Sequence, residues 1–199
     1  MLAEAAVSVG EGDGDALGSA LIGVDFMLHT MSIGVARINY QSGFTFKFNL
    51  WDVEDPSQNI AAKVRPVYYS QLLAAEFIGT SGKTRVSEID TGSSNVTAYG
   101  AYDDGKLARI ALANFEPSSS RAQNVTLDFG KDSAATKVDV KILKQAKGSG
   151  QVTWGGMTWT AENNGVGKHV TTDSYTRKVQ DGVVKIEVGA RQAVLATLK

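Results

Sequence analysis

The sequence predicts a mainly β protein: an antiparallel β-sandwich preceded by a shorter α/β piece. Three observations carry this. Hydrophobic periodicity changes from a helical to an alternating pattern near Gly79. Eight short alternating runs then fill residues 84–198, separated by turn residues, as in a sandwich. The sequence "YDDGKL" at 102–107 sets Asp-Gly between two of these runs, a strong hairpin signal.

The chain opens on "MLAEAAVSVGEGDG", in which Glu4 stands among small apolar residues, the pattern of a tight strand end. From Asp15 to Ile33, Leu17, Ala20, Leu21, Val24, Leu28 and Met31 recur at steps of three and four and form one apolar stripe. Asp13 or Asp15 is suited to cap the start of this helix, and Gly34 follows its end. "VARINYQ" at 35–41 reads as a strand, and "FTFKFNLW" at 44–51 as an extended segment or a loop over a pocket. A second helix runs from about Pro66 to Ile78, with Tyr69, Leu72, Leu73 and Phe77 on its face and Gly79 at its end. One strand and two helices cannot close a sheet by themselves, so residues 1–80 are expected to be part of a larger unit, with an uncovered and adhesive helix face. Residues 81–199 form the sandwich, with 161–178 as a long surface connection.

Composition narrows the function. With 43% hydrophobic and 21% charged residues, the chain is that of a folded globular protein. A net charge of −1 gives no overall pull toward nucleic acid or a membrane surface. The charge is uneven, −6 over residues 1–130 and +5 over 131–199, and "KILKQAK" at 141–147 reads as a solvated face rather than a polyanion site. No cysteine is present, and His29 and His169 are far apart, so disulfides, thiolate catalysis, zinc clusters and a histidine-rich metal site are not expected. No stretch reaches the roughly 20 apolar residues of a membrane span, and the first residues lack a secretory signal pattern. Asn95 and Asn124 stand in glycosylation triplets, which matter only in a secretory compartment.

Several motifs invite chemistry. "GTSGKT" at 79–84 lacks the first glycine of a phosphate loop and follows a helix, so it reads as a linker. Trp154 and Trp159 in "VTWGGMTWT" are either buried core or a sugar-stacking platform. His29, beside the apolar stripe, is expected to be a satisfied structural histidine. Asp103 and Asp104 are explained by their turn, and Glu88 and Asp90 by strand ends. Glu4 differs, since a carboxylate in a small apolar setting needs a partner or a chemical role.

"LAEAAVSVG", "GSALIGVDFMLHTMSIGVARINYQSG", "VRPVYYSQLLAAEFIG", "AYGAYDDGKLARIALANFE" and "VTWGGMTWT" together resemble the C-terminal portion of glycoside hydrolase family 79, the β-glucuronidase type. The resemblance covers essentially the whole chain. It implies a (β/α)8 barrel followed by a β-sandwich, a retaining mechanism, a carbohydrate substrate, no cofactor and a secreted parent enzyme. Residues 1–80 would be the last strands and helices of that barrel. The resemblance sets Glu4 on the catalytic nucleophile, at the end of the seventh barrel strand, and puts Tyr40, Gln41, Gly43 and Phe44 near the sugar. The acid/base glutamate of the family belongs to the fourth barrel strand, outside this sequence. The chain alone is therefore expected to be inactive and to associate with the rest of a barrel. The alternative is a stand-alone β-sandwich module that binds glycans or packs against a partner, with Trp154, Trp159, Tyr99 and Tyr102 as contacts.

Overall fold

The structure, a computed structural model, describes residues 2–5 (by their backbone pairing), 17–40, 42–43, 49–131, 133–147 and 150–199. Strand β1 (Leu2–Ala5) pairs in parallel with β2 (Arg37–Tyr40), and helix α1 (Leu17–Ser32) connects them. A short excursion follows, in which β3 (Trp51–Asp52) pairs with β4 (Lys63–Val64) around a 3-10 turn at Pro56–Gln58. Helix α2 (Tyr68–Ile78) then leads into the β region.

That region contains β5 (Arg85–Ile89), β6 (Val96–Asp103), β7 (Lys106–Asn114), β8 (Gln123–Asp128), β9 (Lys137–Gln145), β10 (Val152–Trp154), β11 (Met157–Thr158), β12 (Lys168–His169), β13 (Ser174–Lys178), β14 (Val183–Val188) and β15 (Gln192–Leu198). The large sheet runs β12-β11-β10-β9-β15-β7-β6-β5, with β13 also paired to β9, and its pairings are antiparallel. A separate pair, β14-β8, forms the second layer. Asp104 and Gly105 both take left-handed backbone (φ 49° and 79°) between β6 and β7, the turn that Asp-Gly favours.

Alternation sorts each central strand onto two cores. Tyr99, Ala101, Ala111, Ala113, Leu143, Ala193 and Leu195 face α1 and α2. Ala98, Ile110, Leu112, Val138, Val140, Val194 and Ala196 face the other way, sharing a core with Leu127, Val184, Ile186 and Val188 of β8 and β14. The central strands of the large sheet are thus buried on both faces.

This corrects the expectation of an uncovered helix face. Leu17, Ala20, Leu21, Val24 and Leu28 are all buried, and the sheet of the β region supplies the cover. Tyr99 donates a 2.7 Å hydrogen bond to Asp25 of α1. Burial, reinforced by that carboxylate, raises the Tyr99 pKa, so the phenol is a neutral donor. His29 has the structural partner expected of it, at the surface: it is half-exposed, and its Nδ1 lies 2.9 Å from Glu88 of β5. Asp13 and Asp15 lie outside the described residues, while Gly34 (φ 83°) follows α1 as expected.

The two helices cross closely at Gly23. A Cβ there would lie 2.7 Å from the hydroxyl of buried Ser70, which itself donates to Val67 O at 2.6 Å. Gly23→Ala is therefore expected to destabilise by about 1–2 kcal/mol, because overpacking outweighs the gain in helix propensity. Urea unfolding checks this; an alanine variant as stable as the parent would contradict the close crossing.

The 161–178 stretch is not merely a surface connection. Its last five residues are β13, in register with Lys137–Lys141 of β9. The basic run 141–147 is taken up locally, with Lys141 on Glu76 (2.7 Å) and Lys144 on Asp173 (2.5 Å).

Candidate active site

The parallel pair β1-β2 brings two strand ends to the same side. In this register Glu4 lies opposite Asn39 and Ala5 opposite Tyr40. The expected nucleophile therefore sits on the backbone one residue from the end of β1, beside the end of β2. Its side chain and those of Gln41 and Phe44 lie outside what the structure describes.

Tyr40 ends β2 with its hydroxyl buried and without a hydrogen-bond partner among the described residues. Burial pushes its pKa up to about 12, opposed in smaller measure by the nearby Ser70 hydroxyl. At neutral pH Tyr40 is thus an uncharged O–H donor.

Three residues beyond Tyr40 opens a cavity of about 440 Å³, walled by Gly43, Asn49, Trp51, Asp52, Ile60 and Arg65 among others. Its shape is held by a polar network. Buried Asn49 accepts from Gly43 N and donates to Gly43 O, both at 2.9 Å, and also reaches Asp52 Oδ1 at 3.3 Å. Arg65 grips Asp52 with two prongs, Nε to Oδ1 at 3.0 Å and Nη2 to Oδ2 at 2.8 Å. A fork of this kind fixes both planes and is stronger than a single charged contact. The network pins the chain after β2 to the start of α2 and commits Asp52 to an ion pair. Among the described residues, Gly43 is the expected loop residue found in the cavity wall. Asp52 and Arg65 escaped sequence reading because they follow no helical or strand period, while Asn49 lies within the 44–51 run read as an extended segment or a loop over a pocket. Only a charge pair thirteen residues apart hinted at them.

The tryptophans divide. Trp154 is buried, donating its indole N–H to Glu76 Oε1 at 2.9 Å with the Lys141 ammonium 5.8 Å from its ring, so it is no platform. Tyr99, also buried, is no surface contact either. Trp159 is only partly buried and packs against Tyr68 and Tyr69, with ring centroids 6.5 and 5.7 Å away. Tyr69 fixes the end of β11 and the residue after it, accepting from Trp159 N at 2.9 Å and lying 2.9 Å from the Thr158 hydroxyl. Asn95 and Asn124 are both exposed, Asn95 donating to Glu116 at 3.1 Å. No helix among the described residues is long and apolar enough to cross a membrane.

Residues 98–195 match the family model for the glycosyl hydrolase family 79 C-terminal beta domain. A β-glucuronidase of Aspergillus niger is 26% identical over 208 residues, which span 92% of this chain and 38% of that protein. A β-glucuronidase of Neurospora crassa is 24% identical over 197 residues, 80% of this chain and 35% of its own. The chain thus spans well under half the length of these curated relatives. Among solved structures, a 4-O-α-L-rhamnosyl-β-D-glucuronidase from Fusarium oxysporum 12S superposes with a TM-score of 0.78 at 20% identity, over 99% of this chain and 42% of that one. A family 30 xylanase from Clostridium acetobutylicum superposes with a TM-score of 0.60 at 14% identity, over 99% and 41%. At these identities the structural likeness speaks for the fold. The mainly β, antiparallel architecture and the family match agree: residues 98–195, from β6 into β15, correspond to the glycosyl hydrolase family 79 C-terminal β domain.

Proposed function

We propose that this chain is the C-terminal part of a retaining β-glucuronidase-type glycoside hydrolase, with Glu4 as nucleophile. In this reading residues 1–80 are the last strands and helices of a (β/α)8 barrel and 81–199 the β-sandwich that braces them. The observation that supports it is the parallel register of Glu4 with Asn39, in which a carboxylate-bearing position stands near the end of one strand beside the end of another. Active sites of such barrels lie at the C-terminal ends of their strands. Glu4 attacks the anomeric carbon to form a glycosyl-enzyme. A second carboxyl group, about 5–5.5 Å away, first protonates the leaving oxygen and then activates water. That second group is contributed by a segment outside these 199 residues, with which the chain associates. Tyr40, a neutral donor, and Gln41, Gly43 and Phe44 border the sugar. The parent enzyme is secreted, and Asn95 and Asn124 are its glycan acceptors.

Without its acid partner the 199-residue chain forgoes proton transfer worth about 10²–10⁴-fold, together with most of the cleft. It is expected to leave 4-nitrophenyl β-D-glucuronide intact. Joined to a barrel segment from a family β-glucuronidase, it is expected to restore hydrolysis. Glu4→Gln should then lower kcat by about 10³-fold or more, the scale on which removing a covalent nucleophile acts. A Glu4→Gln fusion that retains most of its activity would remove Glu4 from the mechanism.

A further inference from the structure

A second cavity, of about 300 Å³, adjoins the first and shares Trp51 and Asp52 with it. Trp51 is 53% exposed, an unusual degree for the largest apolar side chain. Among the described residues its ring contact is with Tyr68, nearly perpendicular (80°, centroids 6.4 Å apart), which covers at most one indole face. Tyr68 in turn leans on Trp159 at 6.5 Å. Trp159 is held in place: a Cβ at Gly167 would lie 2.8 Å from its indole, so the backbone at 167 lies close against the ring. Val64 and Ala161 extend the apolar wall, and Asp52, Lys63, Thr160 and Asn164 bring polar groups beside the aromatic trio.

We propose that this groove is a carbohydrate subsite in which a neutral pyranose ring stacks on the open face of Trp51. The proposal rests on the hydrolase reading above and extends it to a sugar unit neighbouring the one in the first cavity. An apolar face ringed by hydrogen-bonding groups matches the two-sided chemistry of a pyranose, whose C–H face is apolar and whose rim carries hydroxyls. The groove's own lining carries one carboxylate, Asp52, and one ammonium, Lys63, so its charges balance and give no net pull on an ionic ring. Continuity through Trp51 means that a glycan can span both cavities past one indole. The β domain then contributes Trp159, Thr160 and Asn164 to recognition, beyond supporting the α/β piece.

The three tryptophans supply an internal control. In the 15N-labelled chain, methyl β-D-glucopyranoside is expected to move the indole N–H signals of Trp51 and Trp159 saturably, with a Kd of about 1–10 mM (roughly 3–4 kcal/mol). The signal of Trp154, buried and bonded to Glu76, should stay in place. Glycerol at the same concentration should move none of the three. Trp51→Ala, at an exposed position, is expected to abolish the shift at Trp159. Asn164→Gly, which keeps the left-handed backbone at that residue (φ 52°), should weaken binding several-fold. Uniform shifts, no shifts, or a larger response to sodium glucuronate would overturn the proposal. Because the titration reads Trp51 and not turnover, binding without hydrolysis in the barrel fusion would sink Glu4 and leave the subsite standing. Hydrolysis without a shift at Trp51 would do the reverse.

Discussion

Lys144→Met is expected to destabilise the protein by about 3–5 kcal/mol, the range for a buried ion pair that loses one partner. Asp173 is fully buried as a side chain, and Lys144 reaches it at 2.5 Å. Thr153, also fully buried, donates to its other oxygen at 2.8 Å. Lys144 and Thr153 face each other across β9 and β10, so the carboxylate is clamped by two adjacent strands. Asp173 immediately precedes β13, and its carbonyl accepts from Ile142 N at 2.9 Å, which sets where that strand joins the sheet. Removing the ammonium leaves a buried carboxylate with hydroxyl support alone. The midpoint of thermal unfolding should fall by about 10 °C, given roughly 2–4 °C per kcal/mol at this chain length. The double variant Lys144→Met/Asp173→Leu should recover most of the loss, since an apolar pair replaces the charges. A single variant within ~1 kcal/mol of the parent would mean that the pair adds little.

Arg109→Leu is the second large effect, expected at about 2–4 kcal/mol from the loss of several charge-assisted hydrogen bonds. From β7 this guanidinium donates to Phe77 O (2.6 Å) and Ile78 O (3.1 Å), carbonyls at the end of α2 that have no partner further along the helix. It also holds Asp103 at 2.7 Å. Asp103 accepts from Thr84 as well, whose hydroxyl reaches Ile78 O at 2.7 Å. The hydrogen bond from Thr84, with Arg109 beside it, holds the Asp103 carboxyl below its usual range. A carboxyl depressed in the folded state stabilises fully above its unfolded value of about 3.9 and loses that contribution as pH falls through the folded value. Stability of the parent should therefore decline as the solution is acidified below about pH 4, and Asp103→Asn should flatten that part of the profile. Partial exposure of Asp103 keeps the pH effect modest. Urea unfolding of parent and variant between pH 7 and 3 reads both results; parallel profiles would remove Asp103 from the acid limb.

Most of the β region was legible because alternation is a local signal. All eight alternating runs contain observed strands, and "VTWGGMTW" splits at Gly155-Gly156 into β10 and β11. What remained hidden is non-local. The stripe of α1 revealed a buried face but not its cover, because the residues that meet it, such as Tyr99 and Leu195, lie some 75 to 175 positions away. Strand β13 is mostly exposed and polar, "SYTRK", and is held by pairing with β9 and by the Asp173 clamp, neither of which leaves a periodic trace. The candidate site divides in the same way. Tyr40 could be placed at a strand end and Gly43 in the loop after it, whereas the Asn49, Asp52 and Arg65 network depends on a loop folding back on itself.

The double burial of the large sheet's central strands bears on how this chain comes apart. Residue 80 marks a change of sequence period, yet the apolar interior of α1 and α2 is continuous with that of β6, β7, β10 and β15. Severing the polypeptide there would strip one side of a sheet to water and strand two helices with nothing to lean on. The seam visible in the sequence is therefore a seam of pattern only, and the two parts are bound to melt together.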